Sequence, residues 1–156
     1  MNTIAPDRIE DGLFLGPQPL SPEDFDALRA LAVTDVVTLM PEREALSFGI
    51  HPAVAFRVAM AAGIAVHRCA IEDFSHKALV TGLPAALDVL KRLRARGRSV
   101  YVHCQAGRNR SPTLVAAYVA ASRQVTAEAA AAEVCVLHPP SCPDVDAVRA
   151  VVRSAT

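Results

Sequence analysis

No charge of one sign dominates this chain: 16 Lys and Arg are matched by 16 Asp and Glu, so the formal net charge is zero. A global field that would recruit nucleic acid or an anionic membrane is thereby excluded, and attraction for an anion has to be local. The sequence has no apolar run long enough to span a bilayer, and Met1 to Arg8 lacks the basic start and apolar core of a secretory signal. A cytoplasmic monomer is expected, with no nucleic-acid and no membrane partner. Repeats and low-complexity linkers are missing, so residues 1–156 are read as a single domain, and 52% hydrophobic content supplies one substantial core. Cys69, Cys135 and Cys142 show no metal-ligand spacing and are read as packed or surface thiols, with a redox partnership to Cys104 as the alternative.

What the chain does have is an alternation of strand-like and helix-like segments. Strands are predicted at Leu13–Leu15, Asp35–Leu39, Ile64–Cys69 and Val100–Val102, where short apolar runs end in turn residues. Ser21-Pro22-Glu23-Asp24 offers an N-cap, a first-turn proline and an acid at the third position, which starts a helix. Further helices are predicted over Pro52–Ala62 and Leu79–Arg96, over Pro112–Val119, over Ala127–Leu137 after the cap Thr126, and near Asp144–Val152. The pattern implies an α/β fold with a central, mostly parallel sheet flanked by helices.

One stretch carries chemistry: His103-Cys104-Gln105-Ala106-Gly107-Arg108-Asn109-Arg110-Ser111, with five residues between the cysteine and Arg110. It lies between a buried strand and a helix, so it sits on orphan amides and the positive end of a helix dipole. Backbone from Gln105 through Ala106, Gly107, Arg108 and Asn109 to Arg110 can curl into a nest for phosphoryl oxygens, with Gly107 supplying positive φ. Arg110 adds a planar fork for two oxygens. In that field Cys104 is expected to ionise readily and attack phosphorus, forming a cysteinyl-phosphate. Ser111 can donate to the sulfur when it leaves. His103 is read as support for the loop, the alternative being the mere end of a buried strand. Arg108 either faces substrate or is an ordinary solvated charge. The leaving oxygen needs a proton, and the turn after Val66–Ile71 brings Glu72 and Asp73 to a loop edge as candidate acids.

These residues resemble the cysteine-dependent protein phosphatases of the dual-specificity type. The loop fits that family's CX5R pattern with the flanking His and Ser, an Asp stands upstream on a loop, and Ile9-Glu10-Asp11-Gly12-Leu13-Phe14-Leu15-Gly16 is similar to its opening segment. The resemblance implies that Asp73 is the acid and later the base that activates water, with Glu72 as fallback. It also implies a phosphorylated protein or peptide substrate, phosphotyrosine foremost, and no metal or cofactor. Low-molecular-weight tyrosine phosphatases and arsenate reductases place the cysteine loop before the acid, the reverse of the order here. The loop has no lysine, which puts phosphoinositides and other small phosphomonoesters second. A non-catalytic phosphotyrosine-binding module and a rhodanese-like sulfurtransferase are the rivals outside this class. His51, Arg57, His67, Arg68 and His76 either line the approach or are surface polar groups, and the latter is expected.

Overall fold

A computed structural model describes residues 3–154. Its five-stranded sheet has the order β1-β2-β5-β3-β4, from β1 (Asp7–Glu10), β2 (Leu13–Gly16), β3 (Asp35–Thr38), β4 (Ala65–Arg68) and β5 (Val100–His103). All pairs are parallel except β1 with β2, which agrees with the expected mostly parallel sheet. β5 occupies the centre, so the cysteine loop leaves the carboxyl end of the middle strand, where open α/β sheets bind ligands.

Alternation along β5 divides the core. Val100 and Val102 face one side, packed with α4 (His76–Ala95), α5 (Arg110–Arg123), α6 (Ala127–Leu137) and α7 (Val145–Ser154). Tyr101 faces the other side with α1 (Pro22–Ala30) and α3 (Pro52–Ala61), in a smaller cluster containing Phe14, Phe25, Leu28, Val36 and Ala59. On the larger side α5 is buried continuously from Arg110 to Ala120, an apolar helix enclosed by sheet and neighbours.

Helix boundaries follow the caps. Ser21 accepts from the Asp24 amide while the Asp24 carboxylate takes the Ser21 amide, closing the expected capping box of α1. Thr126 caps α6 as expected. α4 begins at His76 rather than Leu79 because Ser75 accepts from the Ala78 amide, which fixes the first turn earlier than apolar periodicity suggests. α5 begins at Arg110 and runs to Arg123, beyond both predicted ends, and Gln124 closes it in the left-handed region. Two short elements escaped the sequence reading. β1 is a charged edge strand with Ile9 as its one buried side chain, and α2 (Glu42–Ser47) is a six-residue helix after β3.

Candidate active site

The loop after β5 is held by its carbonyls. Gln105 O accepts from the Gln18 amide at 3.1 Å, Gly107 O from His138 Nε2 at 2.8 Å, Arg108 O from the Cys142 amide, and Asn109 O from the Thr113 amide at 2.9 Å. The first three reach outward to other segments, and the fourth bond lies in the first turn of α5. Among the described residues no hydrogen bond uses a backbone N–H from residues 105–110, and Asn109 gives α5 no side-chain cap. Amides left without a protein acceptor at a helix N-terminus are what an anion nest requires. Gly107 has φ +69°, and a Cβ there would lie 2.8 Å from the Gly16 carbonyl carbon and oxygen. Both the curl and the close approach to β2 require glycine.

Cys104 is buried, with Sγ 3.1 Å from Ser111 Oγ. His103 is buried beside it, and its Nδ1 donates to the Cys104 carbonyl at 2.9 Å, since that partner can only accept. Burial is the main cause that pushes the His103 pKa down to about 4, helped by the charges of Arg68 and Arg110 against the opposing hydrogen bond. The ring stays neutral and stacks on Tyr101 with centroids 5.9 Å apart, while the Tyr101 hydroxyl donates to the Pro17 carbonyl.

Arg110, 1% exposed, is gripped end-on by Glu44 of α2: Nη2 donates to Oε1 at 2.7 Å and Nη1 to Oε2 at 2.8 Å. The second Nη1 proton goes to the Ile71 carbonyl at 3.0 Å. Burial opposes the charge, yet the Glu44 hydrogen bonds and the charges of Cys104, Asp73 and Glu44 outweigh it and raise the guanidinium pKa. Of five donors this leaves Nε–H and one Nη2–H, the side-on edge, and Nε is buried without a partner. The fork available to two phosphoryl oxygens is thus the Nε–Nη2 edge. Asp73 Oδ2 stands 3.3 Å from Nη2, at the rim of that edge.

Asp73 and Glu72 separate here. Asp73 turns to Arg110 and is steadied by the Phe74 amide, whereas Glu72 turns out to pair with Arg43 at the surface. The structure brings Cys104, Ser111, Arg110 and Asp73 to one place. The Asn109 side chain points elsewhere, donating to the Cys142 carbonyl at 2.9 Å, and Arg108 is exposed. Of the basic groups considered for the approach, His67 pairs with buried Asp35, His76 pairs with Asp144, and Arg57 and Arg68 line an apolar cavity behind the loop. Among the described residues no cluster of three or more His, Cys, Asp or Glu could hold a metal ion, and no helix is long and apolar enough to cross a membrane.

The family model for the catalytic domain of dual specificity phosphatases matches residues 13–145. The chain belongs to the dual-specificity phosphatase family. It carries the catalytic domain of a phosphoric monoester hydrolase that uses a cysteine nucleophile. The phosphatase is 30% identical over 124 residues to the phosphatidylglycerophosphate phosphatase PTPMT1 of Arabidopsis thaliana, covering 80% of this chain and 34% of that one. It is 32% identical over 120 residues to the amyloplastic phosphoglucan phosphatase DSP4 of Castanea sativa, covering 76% and 31%. The chain thus spans about a third of these relatives' length. In fold the phosphatase matches a crystal structure of PTPMT1 in complex with PI(5)P, with TM-score 0.78, 22% identity and coverage of 96% and 95%.

Two residues of the phosphatase site were missed by sequence reasoning. Glu44 is one of two acids in Pro41-Glu42-Arg43-Glu44, and only its position after β3 hints at a buried partner. His138 lies just past the predicted end of the helix Ala127–Leu137, and it ties Gly107 O to Asp7, 131 residues away. Gly82 serves the site indirectly: a Cβ there would meet Ile71 Cγ1 at 2.7 Å, so α4 can press the Arg110-binding carbonyl into place.

Proposed function

We propose that this chain hydrolyses phosphomonoesters on lipid headgroups presented at a bilayer surface. In the first step the Cys104 thiolate attacks phosphorus, the ester P–O bond breaks, and Asp73 as carboxylic acid gives its proton to the departing oxygen. Loop amides and the Nε–Nη2 edge of Arg110 hold the equatorial oxygens, so charge is met by preorganised donors. Water then gives a proton to the Asp73 carboxylate and attacks phosphorus. The S–P bond breaks, Ser111 donates a hydrogen bond to the leaving thiolate, and inorganic phosphate departs.

The observation that carries the lipid reading is Phe74. It follows the candidate acid, is 99% exposed, and is held at φ +56°, a conformation a non-glycine residue adopts at a cost. α2, tied to the acid loop by the Arg43–Glu72 pair, adds exposed Leu46 and leads to exposed Phe48. An apolar side chain standing in water beside the acid fits insertion among lipid headgroups. The similarity to phosphatidylglycerophosphate phosphatases supports the same class. It brings lipid phosphates, placed second for want of a loop lysine, level with the phosphotyrosine peptides that the resemblance implied, and Phe74 favours the lipid.

The test compares Phe74→Ser with wild type on phosphatidylglycerophosphate in vesicles, on a phosphotyrosine peptide and on a soluble aryl phosphate. About a tenfold loss of kcat/KM confined to the vesicles is expected. Efficient peptide turnover with no vesicle turnover by wild type would refute the lipid reading and return the phosphotyrosine one.

A further inference from the structure

On the α1 and α3 side of the sheet lies a cavity of about 540 Å³ that no residue from Cys104 to Arg110 lines. Its size is that of a small-molecule site. α3 is apolar nearly all round yet buries only Ala59, and Ala53, Ala55 and Phe56 are among the side chains it contributes to the cavity lining. Phe25, Val36, Phe56 and Val66 form apolar walls from four different elements. A helix with this composition is normally enclosed, and here part of its apolar surface faces an open cleft.

The charges on the lining are uneven. Arg57 makes no ion pair or hydrogen bond among the described residues, and the Arg68 guanidinium is engaged only by the Met40 carbonyl. Glu42 is the one carboxylate opposing them, and His103 is neutral. A net positive group beside an apolar cavity matches an aliphatic chain ending in an anion.

We propose that this cavity binds a single-chain anionic amphiphile of the fatty-acid type, its carboxylate at Arg57 and Arg68, and that occupancy regulates the phosphate site. Two walls provide the connection. Ala45 of α2 lines the cavity, and its chain neighbour Glu44 holds Arg110. His103 lines it too, and donates to the carbonyl of Cys104. A chain that moves α2 or the His103 ring changes the setting of the guanidinium or the thiol. The proposal is independent of whether the substrate is lipid or peptide.

The experiment titrates the full chain with laurate below its micellar concentration, reading binding calorimetrically and turnover with a soluble aryl phosphate. One laurate per chain is expected, with kcat/KM changed by about fivefold. Dodecanol, which lacks the carboxylate, and Arg57→Gln with laurate should each show binding about tenfold weaker. Ala55→Trp, which fills the cavity from α3, should abolish laurate binding and leave basal turnover and the melting temperature unchanged; should it not fold, Val66→Phe fills the space from β4. Absence of laurate binding, binding retained in the filled variant, binding displaced by inorganic phosphate, or binding without effect on turnover would each overturn the proposal.

Discussion

His103 gives a prediction whose size follows from its surroundings. An unfolded histidine takes up a proton near pH 6.5, whereas in the folded chain burial holds His103 unprotonated down to about pH 4. Between these values the unfolded state binds the extra proton, so stability rises with pH and is lost as pH falls from 6.5 towards 4. At about 1.4 kcal/mol per unit, the group removes about 3 kcal/mol of unfolding free energy across that window. The assay is urea denaturation at half-unit steps from pH 4 to 7.5, on wild type and on His103→Asn, whose amide still reaches for the Cys104 carbonyl and does not titrate. The variant will be less stable at pH 7 because the Tyr101 stack is lost. Its stability will also fall less steeply with acid, by about 3 kcal/mol in total. Parallel pH profiles for the two proteins would refute the account of His103 as a buried neutral ring.

Gly107→Ala should destabilise by about 2–5 kcal/mol, from left-handed backbone and a Cβ against Gly16, and abolish inorganic phosphate binding; calorimetry and thermal melts read both. Glu44→Ala leaves buried Arg110 with the Ile71 carbonyl and the more distant Asp73 carboxylate. It should cost about 2 kcal/mol, less than a fully enclosed pair because Glu44 keeps 16% exposure, and reduce kcat/KM by about tenfold or more. Asp73→Asn should lower kcat by about 10²–10³ for alkyl phosphates and far less for aryl phosphates with acidic leaving groups; equal losses would remove Asp73 as the acid.

The cysteine loop was legible because its parts are local: strand, curl and helix follow one another, and Gly107, Arg110 and Ser111 hold their places relative to Cys104 by chain geometry alone. The parallel core strands were legible for a similar reason, each being a short apolar run closed by turn residues. Glu44 was not, because its meaning lies in meeting Arg110 from 66 residues away, and an acid in the first turn of a helix has an ordinary explanation in the helix dipole. β1 was hidden by composition, since an edge strand that buries one side chain does not alternate strongly. The choice between Glu72 and Asp73 rested on resemblance; which one faces the arginine depends on the backbone between Ile71 and Ser75, where Phe74 takes a positive φ that no residue type announces.

The outward carbonyls of the cysteine loop carry a further consequence. Their partners are Gln18, His138 and Cys142, and His138 is itself held by Asp7, so the loop is clasped by both ends of the described chain. The pocket for phosphate is therefore complete only when segments distant in sequence have docked on it, and the strand and helix that carry it do not suffice. A ribosome-bound chain that has not yet released residues 138–142 would own its nucleophile and arginine and still lack the clasp. Turnover of a phosphate ester then reports on the closing of the whole domain, and can serve as a clock for it.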